Sequence, residues 1–255
     1  MLLEKRKVLV AGAGPGLGRA VAVVAAREGA EVALSGLFDH ELQEIRQEVK
    51  ANGQRCLTWI SDVTDPDQCR KLLDDVASAL GGIDVLVVNA GITGMPAPLA
   101  TADIEAMLKV YDVNVFGAMR LVQAALPYLR KSEAPAIVLV SSLSERASPP
   151  MLIAYSGSKA ALVNSARTLA RELGGEGIRV NTIVPGIMNA LPGDQLARSM
   201  GLDPNQYYAQ FASMSALGRV SKPEEVADAI VYLASNRASA ITGQTLDVNA
   251  GASFH

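Results

Sequence analysis

Short aliphatic runs alternate along the chain with longer stretches in which apolar residues recur every three or four positions. The short runs predict strands at Val8–Ala11, Val32–Leu34, Cys56–Ile60, Val85–Val88, Ile137–Ser141, Ile178–Ile183 and Leu246–Val248. The periodic stretches predict helices at Leu17–Glu28, His40–Ala51, Asp67–Ala79, Ile104–Lys109, Phe116–Arg130, Ala154–Leu173 and Glu224–Leu233. Several strands are apolar at every position, as in Val85-Leu86-Val87-Val88. That is the pattern of a strand covered on both faces, and the alternation predicts a doubly wound, mostly parallel sheet of seven strands between two helical layers.

Punctuation supports these elements. Thr64-Asp65-Pro66-Asp67 and Ser221 followed by Pro223 and Glu224 read as helix starts, with Ser221 the cap and Glu224 its capping-box partner. Gly29, Gly174 and Gly175 stand where helices should stop. No linker or internal repeat divides the chain, so residues 1–255 are read as one α/β domain for both binding and catalysis. From Pro185 to about Leu217 the alternation is interrupted by a methionine-spotted amphipathic stretch. A substrate lid over residues 187–217 is the expectation, a plain surface excursion the alternative.

Composition narrows the function. The net charge of -3, with no Lys/Arg stripe, argues against nucleic acid. No run approaches the length of a membrane span, and the charged opening MLLEKRK leads into a strand rather than a leader, so a cytoplasmic location is expected. Two cysteines 13 residues apart, with no histidine nearby, argue against a metal site and for a reducing compartment.

The first strand runs into Ala11-Gly12-Ala13-Gly14-Pro15-Gly16-Leu17-Gly18. Glycines permit a tight turn and close backbone approach to a diphosphate, while the next helix offers free N–H groups and its positive pole. Following a strand and opening a helix, this turn predicts a Rossmann-type dinucleotide site on Gly12, Gly16, Leu17 and Gly18. Ser61-Asp62-Val63 and Asn89-Ala90-Gly91 end the third and fourth strands and extend it: Asp62 toward adenine, the small residues along the cofactor's path. The end of the second strand, Ser35-Gly36-Leu37-Phe38-Asp39, carries neither the acid that selects NAD nor the base that selects NADP. With no positive charge for a 2′-phosphate, NAD is slightly favoured over NADP.

Tyr155 and Lys159 are four residues apart at the start of a long helix, on one face. Ser142, at the end of the fifth strand, is thirteen residues upstream of Tyr155. A free phenol ionises near pH 10, and a nearby ammonium favours phenolate. The trio therefore predicts proton transfer to or from an alcohol oxygen, with Ser142 orienting that oxygen.

The glycine turn, Asn89-Ala90-Gly91, Asn114, Ser142, Tyr155-x-x-x-Lys159 and Pro185-Gly186 together resemble the classical short-chain dehydrogenase/reductase family over nearly the whole chain. The resemblance implies Tyr155 as acid/base, Ser142 as substrate orienter and Lys159 as modulator and ribose anchor. It makes Asn114 the holder of a relay water, or else a buried asparagine satisfying backbone groups. It implies cofactor contacts at Gly12, Gly16, Leu17, Gly18, Asp62, Val63, Asn89, Ala90, Gly91, Tyr155, Lys159, Pro185, Gly186 and Ile187, and a homotetramer. Ala11, Ala190, Glu145 and Asn249-Ala250-Gly251 depart from the pattern; Ala11 lacks a loop-stabilising hydroxyl and Ala190 a carboxamide contact that Asn189 would replace. The substrate wall is expected from Ile92, Met95, Leu143, Leu152, Met188 and Leu191, with Glu145 reading a second hydroxyl or facing solvent. That wall suits a small or medium, largely uncharged alcohol or ketone. The alternatives are a 3-oxoacyl-(acyl-carrier-protein) reductase and a non-catalytic NAD(P)-binding regulator.

Overall fold

A computed structural model describes residues 1–199 and 201–254. Its strands are β1 (Lys7–Ala11), β2 (Glu31–Gly36), β3 (Cys56–Ile60), β4 (Val85–Val88), β5 (Ala136–Val140), β6 (Arg179–Pro185) and β7 (Thr245–Val248). They form one sheet in the order β3-β2-β1-β4-β5-β6-β7, and every neighbouring pair is parallel. The helices are α1 (Leu17–Arg27), α2 (Asp39–Ala51), α3 (Pro66–Leu80), α4 (Ile104–Tyr111), α5 (Ala118–Leu129), α6 (Ser144–Ala147), α7 (Ile153–Leu173), α8 (Leu191–Ser199), α9 (Pro204–Ala212) and α10 (Pro223–Ala234).

The pleat explains the all-apolar strands. In β1, Val8 and Val10 face a core shared with α1, α2 and α10, while Leu9 and Ala11 face a second core shared with α3, α5 and α7. β5 repeats the division, with Ala136, Val138 and Val140 on the first side and Ile137 and Leu139 on the second. A strand with water on neither side has no use for polar residues. Burying each such aliphatic side chain contributes roughly 1.5–3 kcal/mol, and the two cores hold the sheet between them.

Local chemistry sets most boundaries. Asp65 caps α3, accepting from the N–H groups of Asp67 and Gln68, with Pro66 in the first turn. Two expectations shift. The cap of α10 is Lys222, not Ser221, and Glu225, not Glu224, accepts from its N–H at 2.8 Å. The chain after α7 continues through Gly174 and Gly175 in a short 3₁₀ turn, and the left-handed stop is Gly177, with φ of 76°. The two helices expected at 104–109 and 116–130 are joined: a π-turn over Asp112–Gly117 connects α4 to α5 without a loop.

The strand order reverses at β1, whose neighbours are β2 and β4, so a crevice opens at the carboxyl ends of β1 and β4. There Gly12 has φ of 86°, and a Cβ on it would run into the backbone N and Cα of Ala90. Gly12→Ala is expected to destabilise the protein by about 2–3 kcal/mol, since both strain and overlap must be relieved. Thermal melting checks this, with a fall of roughly 4–10 °C expected.

Candidate active site

The glycine turn is held from two sides. The N–H groups of Gly12 and Ala13 both donate to the Ser35 carbonyl at the end of β2. From β4, the Asn89 side chain donates to the Gly12 carbonyl at 2.7 Å, and the N–H groups of Asn89 and Ala90 donate to the Ala11 carbonyl. The fixation that a hydroxyl at residue 11 would supply is thus made by Asn89 and main chain. Gly16 caps α1 without a side-chain hydrogen bond, and a Cβ on Gly18 would lie 2.6 Å from the Gly12 carbonyl oxygen. The first turn of α1 consequently presents its positive pole at a turn whose glycines let main chain approach closely.

The other turns at this edge are equally specific. Asp62 accepts from the N–H and hydroxyl of Thr64. Val63 is buried against Gly117, and its carbonyl accepts from Arg120. Gly186 backs onto Asn249, where a Cβ would sit 2.9 Å from the Asn249 Cβ. Ile187 accepts from the Ser221 N–H and packs beside Tyr207, Tyr208 and Phe211.

A cavity of about 170 Å³ joins this edge to the tyrosine. Leu17, Asn89, Gly91, Ile92, Thr93, Val140, Ser141, Ser142, Tyr155, Lys159, Pro185, Gly186 and Met188 line it. Lys159 is 3% exposed; its ammonium donates to the Val140 carbonyl at 2.9 Å and lies 5.8 Å from the centre of the Tyr155 ring. Its own carbonyl accepts from Ser141 at 2.8 Å, so the end of β5 grips Lys159 at both ends. Ser142 Oγ accepts from the N–H and the hydroxyl of Ser144, which leaves its proton for the Tyr155 phenol. Asn114, fully buried in the π-turn, accepts from the Ile92 N–H at 2.8 Å and donates to the Ile92 carbonyl and to Ser158 Oγ, both at 2.9 Å. Ser158 in turn donates to the Tyr155 carbonyl. A π-turn at such a place is a common mark of function.

Burial dominates the electrostatics. It lowers Lys159 from 10.5 to about 8, so this lysine is mostly charged at neutral pH but easily discharged above it. Burial also raises Tyr155, and the hydrogen bond from Ser142 draws it partway back. The sequence suggests that the lysine sets the phenol's acidity; in the structure the protein's own groups keep Tyr155 protonated, with the ammonium turned to Val140. The glycine turn, the helix pole behind it and the cavity beyond fit a dinucleotide, which Gly12, Gly16 and Gly18 would hold at one end, with the Tyr155 cavity open to the other.

A family model described as enoyl-(acyl carrier protein) reductase matches residues 12–253. The chain is 34% identical over 251 residues to 3-oxoacyl-(acyl-carrier-protein) reductase of Thermotoga maritima, covering 98% of this chain and 99% of that one. It is 36% identical to glucose 1-dehydrogenase of Gluconobacter oxydans, covering 98% and 92%. Among solved structures, NAD+-bound xylitol dehydrogenase superposes with a TM-score of 0.92 at 28% identity, over 98% of this chain and all of that one. The chain is a short-chain dehydrogenase/reductase. As a member of that family it is an oxidoreductase that transfers hydride with NAD(P).

In this short-chain dehydrogenase/reductase the expected substrate wall is divided. Ile92 and Met188 line the Tyr155 cavity; Met95 and Leu152 line a second cavity that Tyr155 also borders; Leu143 lines a third with Ile187 and Phe211. Leu191 is half exposed and Asn189 exposed. Glu145 is not available to the Tyr155 cavity: it is paired with Arg146, which also reaches Asp247, and it lines a separate groove with Pro149 and Met151. Residues 187–217, of which Met200 lies outside the described residues, fold largely as α8 and α9. Tyr208 ties them together, donating to Asp194 at 2.8 Å and accepting from the Ala190 N–H.

Ser141, Ser144 and Ser158 are participants that sequence reasoning missed. Each stands one to three residues from a predicted site residue, a weak signal that only their hydrogen bonds distinguish. The buried Lys159 has a measurable signature. Its folded pKa lies below its unfolded value, so the cost of burying its charge is present in full below about pH 8 and is relieved as the pH rises to 10.5. Relative to Lys159→Met, the wild type is expected to gain about 3 kcal/mol of stability across that window, read from denaturation at a series of pH values.

Proposed function

We propose that this enzyme interconverts a small or medium-sized, largely uncharged secondary alcohol and its ketone, with Tyr155 as general acid/base. The observation that carries this reading is the convergence of Tyr155, Ser142 and Lys159 on one cavity that opens onto the glycine turn. A bound nicotinamide cofactor supplies or accepts the hydride. Tyr155 donates its proton to the carbonyl oxygen as hydride arrives, or accepts it in reverse, and Ser142 holds that oxygen in line. Lys159, mostly charged at neutral pH, would anchor the ribose hydroxyls of the bound cofactor, its ammonium 5.8 Å from the centre of the Tyr155 ring. Asn114 holds the Ile92 loop and the start of α7 together. A relay water beside it remains compatible with its place near Gly91 and Lys159, since a Cβ on Gly91 would be 3.2 Å from both.

Of the residues that line the cavity only Lys159 carries charge, while Asn89, Thr93, Ser141, Ser142 and Tyr155 supply uncharged polar groups, which favours an uncharged substrate. Two relatives act on polyols or sugars by name, glucose 1-dehydrogenase and xylitol dehydrogenase, which keeps hydroxyl-rich substrates within the class. The relative in Thermotoga maritima supports a second reading, 3-oxoacyl-(acyl-carrier-protein) reductase. An assay panel of secondary alcohols, ketones, polyols and acyl thioesters separates the two. NAD is favoured over NADP.

The helical pair α8 and α9 is proposed as a lid over the substrate end, pinned by Tyr208. A homotetramer is proposed as well: Ile104 and Leu108 on α4, Phe116 in the π-turn and Ile153 at the start of α7 are exposed apolar side chains for partner subunits to cover. Gel filtration tests it. The cytoplasm suits two buried, unpaired cysteines whose thiols burial pushes up to about 11. No helix among the described residues is long and apolar enough to cross a membrane.

Tyr155→Phe is expected to lower turnover by about 10²–10⁴-fold while leaving NADH affinity within about threefold of wild type. Fluorescence titration and steady-state assays check both halves. Equal turnover would remove Tyr155 from the chemistry.

A further inference from the structure

The end of β2 leaves a discrepancy. A dinucleotide needs its adenosine ribose recognised there, yet Leu37 and Phe38 are more than half exposed and carry no charge. Ile60, at the end of β3 and in register with Gly36, adds a third exposed apolar side chain. These three give a flat base something to lie against but offer no hydrogen bond to a hydroxyl.

The missing acceptor comes from elsewhere. Glu41, in the first turn of α2, folds back over the glycine turn, its Oε2 only 3.6 Å from where a Cβ on Gly14 would stand. It is half-buried, and among the described residues nothing hydrogen-bonds or ion-pairs with it. The charged groups around it are otherwise engaged. Asp39 accepts from Gln43, Arg46 donates to Gln43, and Arg19 is held in a two-point pair with Glu48 and lies 3.9 Å from Glu224. An uncompensated carboxylate therefore faces the space between the glycine turn and the end of β2, where the ribose of the adenosine half belongs.

We propose that Glu41 selects the cofactor, accepting hydrogen bonds from the adenosine ribose hydroxyls and repelling a 2′-phosphate. It takes over from α2 the task that a residue at the end of β2 usually performs, because β2 ends in Gly36 and apolar residues. The assignment rests on NAD(P) binding at the glycine turn and adds the residue that discriminates.

The test measures binding, independently of turnover. Affinities of NADH and NADPH, and of the fragments 5′-AMP and 2′,5′-ADP, are determined by titration calorimetry for wild type, Glu41→Gln, Glu41→Ala and Glu41→Asp, with melting curves to show that each is folded. Wild type is expected to prefer NADH, and the preference to fall more than about fivefold in the Gln and Ala proteins, with Asp retaining most of it. The fragments are expected to follow the same order, since they carry the discriminating hydroxyl or phosphate alone. A preference within about fivefold of wild type in whichever of the Gln and Ala proteins fold overturns the role of Glu41. Failure of wild type to bind either dinucleotide overturns instead the functional reading beneath it.

Discussion

The site depends on the grip that the end of β5 takes on one lysine. Val140 receives the Lys159 ammonium and Ser141 donates to the Lys159 carbonyl, at 2.9 and 2.8 Å. Together these bonds lock the first turns of α7 against the sheet and so place the Tyr155 ring. They also hold a charge out of water, and this is costly enough to lower the lysine to about 8. The cost is borne by the two cores on either side of the sheet. Stability of the scaffold and reactivity of the site are thus opposed at this residue.

Around that grip the structure builds a relay of positions rather than a set of isolated catalytic groups. Asn114 joins the loop after β4 to Ser158, and Ser158 joins Tyr155. Ser144 directs the Ser142 hydroxyl toward the phenol. Each link is a buried or half-buried hydrogen bond whose loss leaves a partner unsatisfied, a penalty of about 1–3 kcal/mol, which makes the geometry stiff. Stiffness matters because hydride and proton transfer tolerate little misplacement of the reacting atoms.

At the other end of the crevice the governing constraint is space. Gly12 and Gly18 are places where main chain passes main chain, and any side chain there would close the phosphate cradle. Charge then refines what space allows. The crevice opens near a helix pole that favours diphosphate, while Glu41 stands beside the glycine turn with no cation paired to it among the described residues.

The sequence alone determined the sheet, the helical layers and the residues that line the crevice, because these rest on local signals. Apolar runs without polar positions mean strands covered on both faces, a glycine-rich turn between strand and helix means a nucleotide cradle, and a spacing of four puts Tyr155 and Lys159 on one face. What only the tertiary structure decided involves groups far apart in the chain. Asn114 stands in a π-turn and meets Ile92 and Ser158, 22 and 44 residues away. Glu145 is withdrawn from the cavity by Arg146, which Asp247 of β7 holds in place from 101 residues away. Glu41 reads as an ordinary helix-surface acid until the fold sets it against Gly14. Periodicity reports which face of an element is buried, but not which distant group will meet a given polar atom, and it is that meeting that sets charge, orientation and selectivity here.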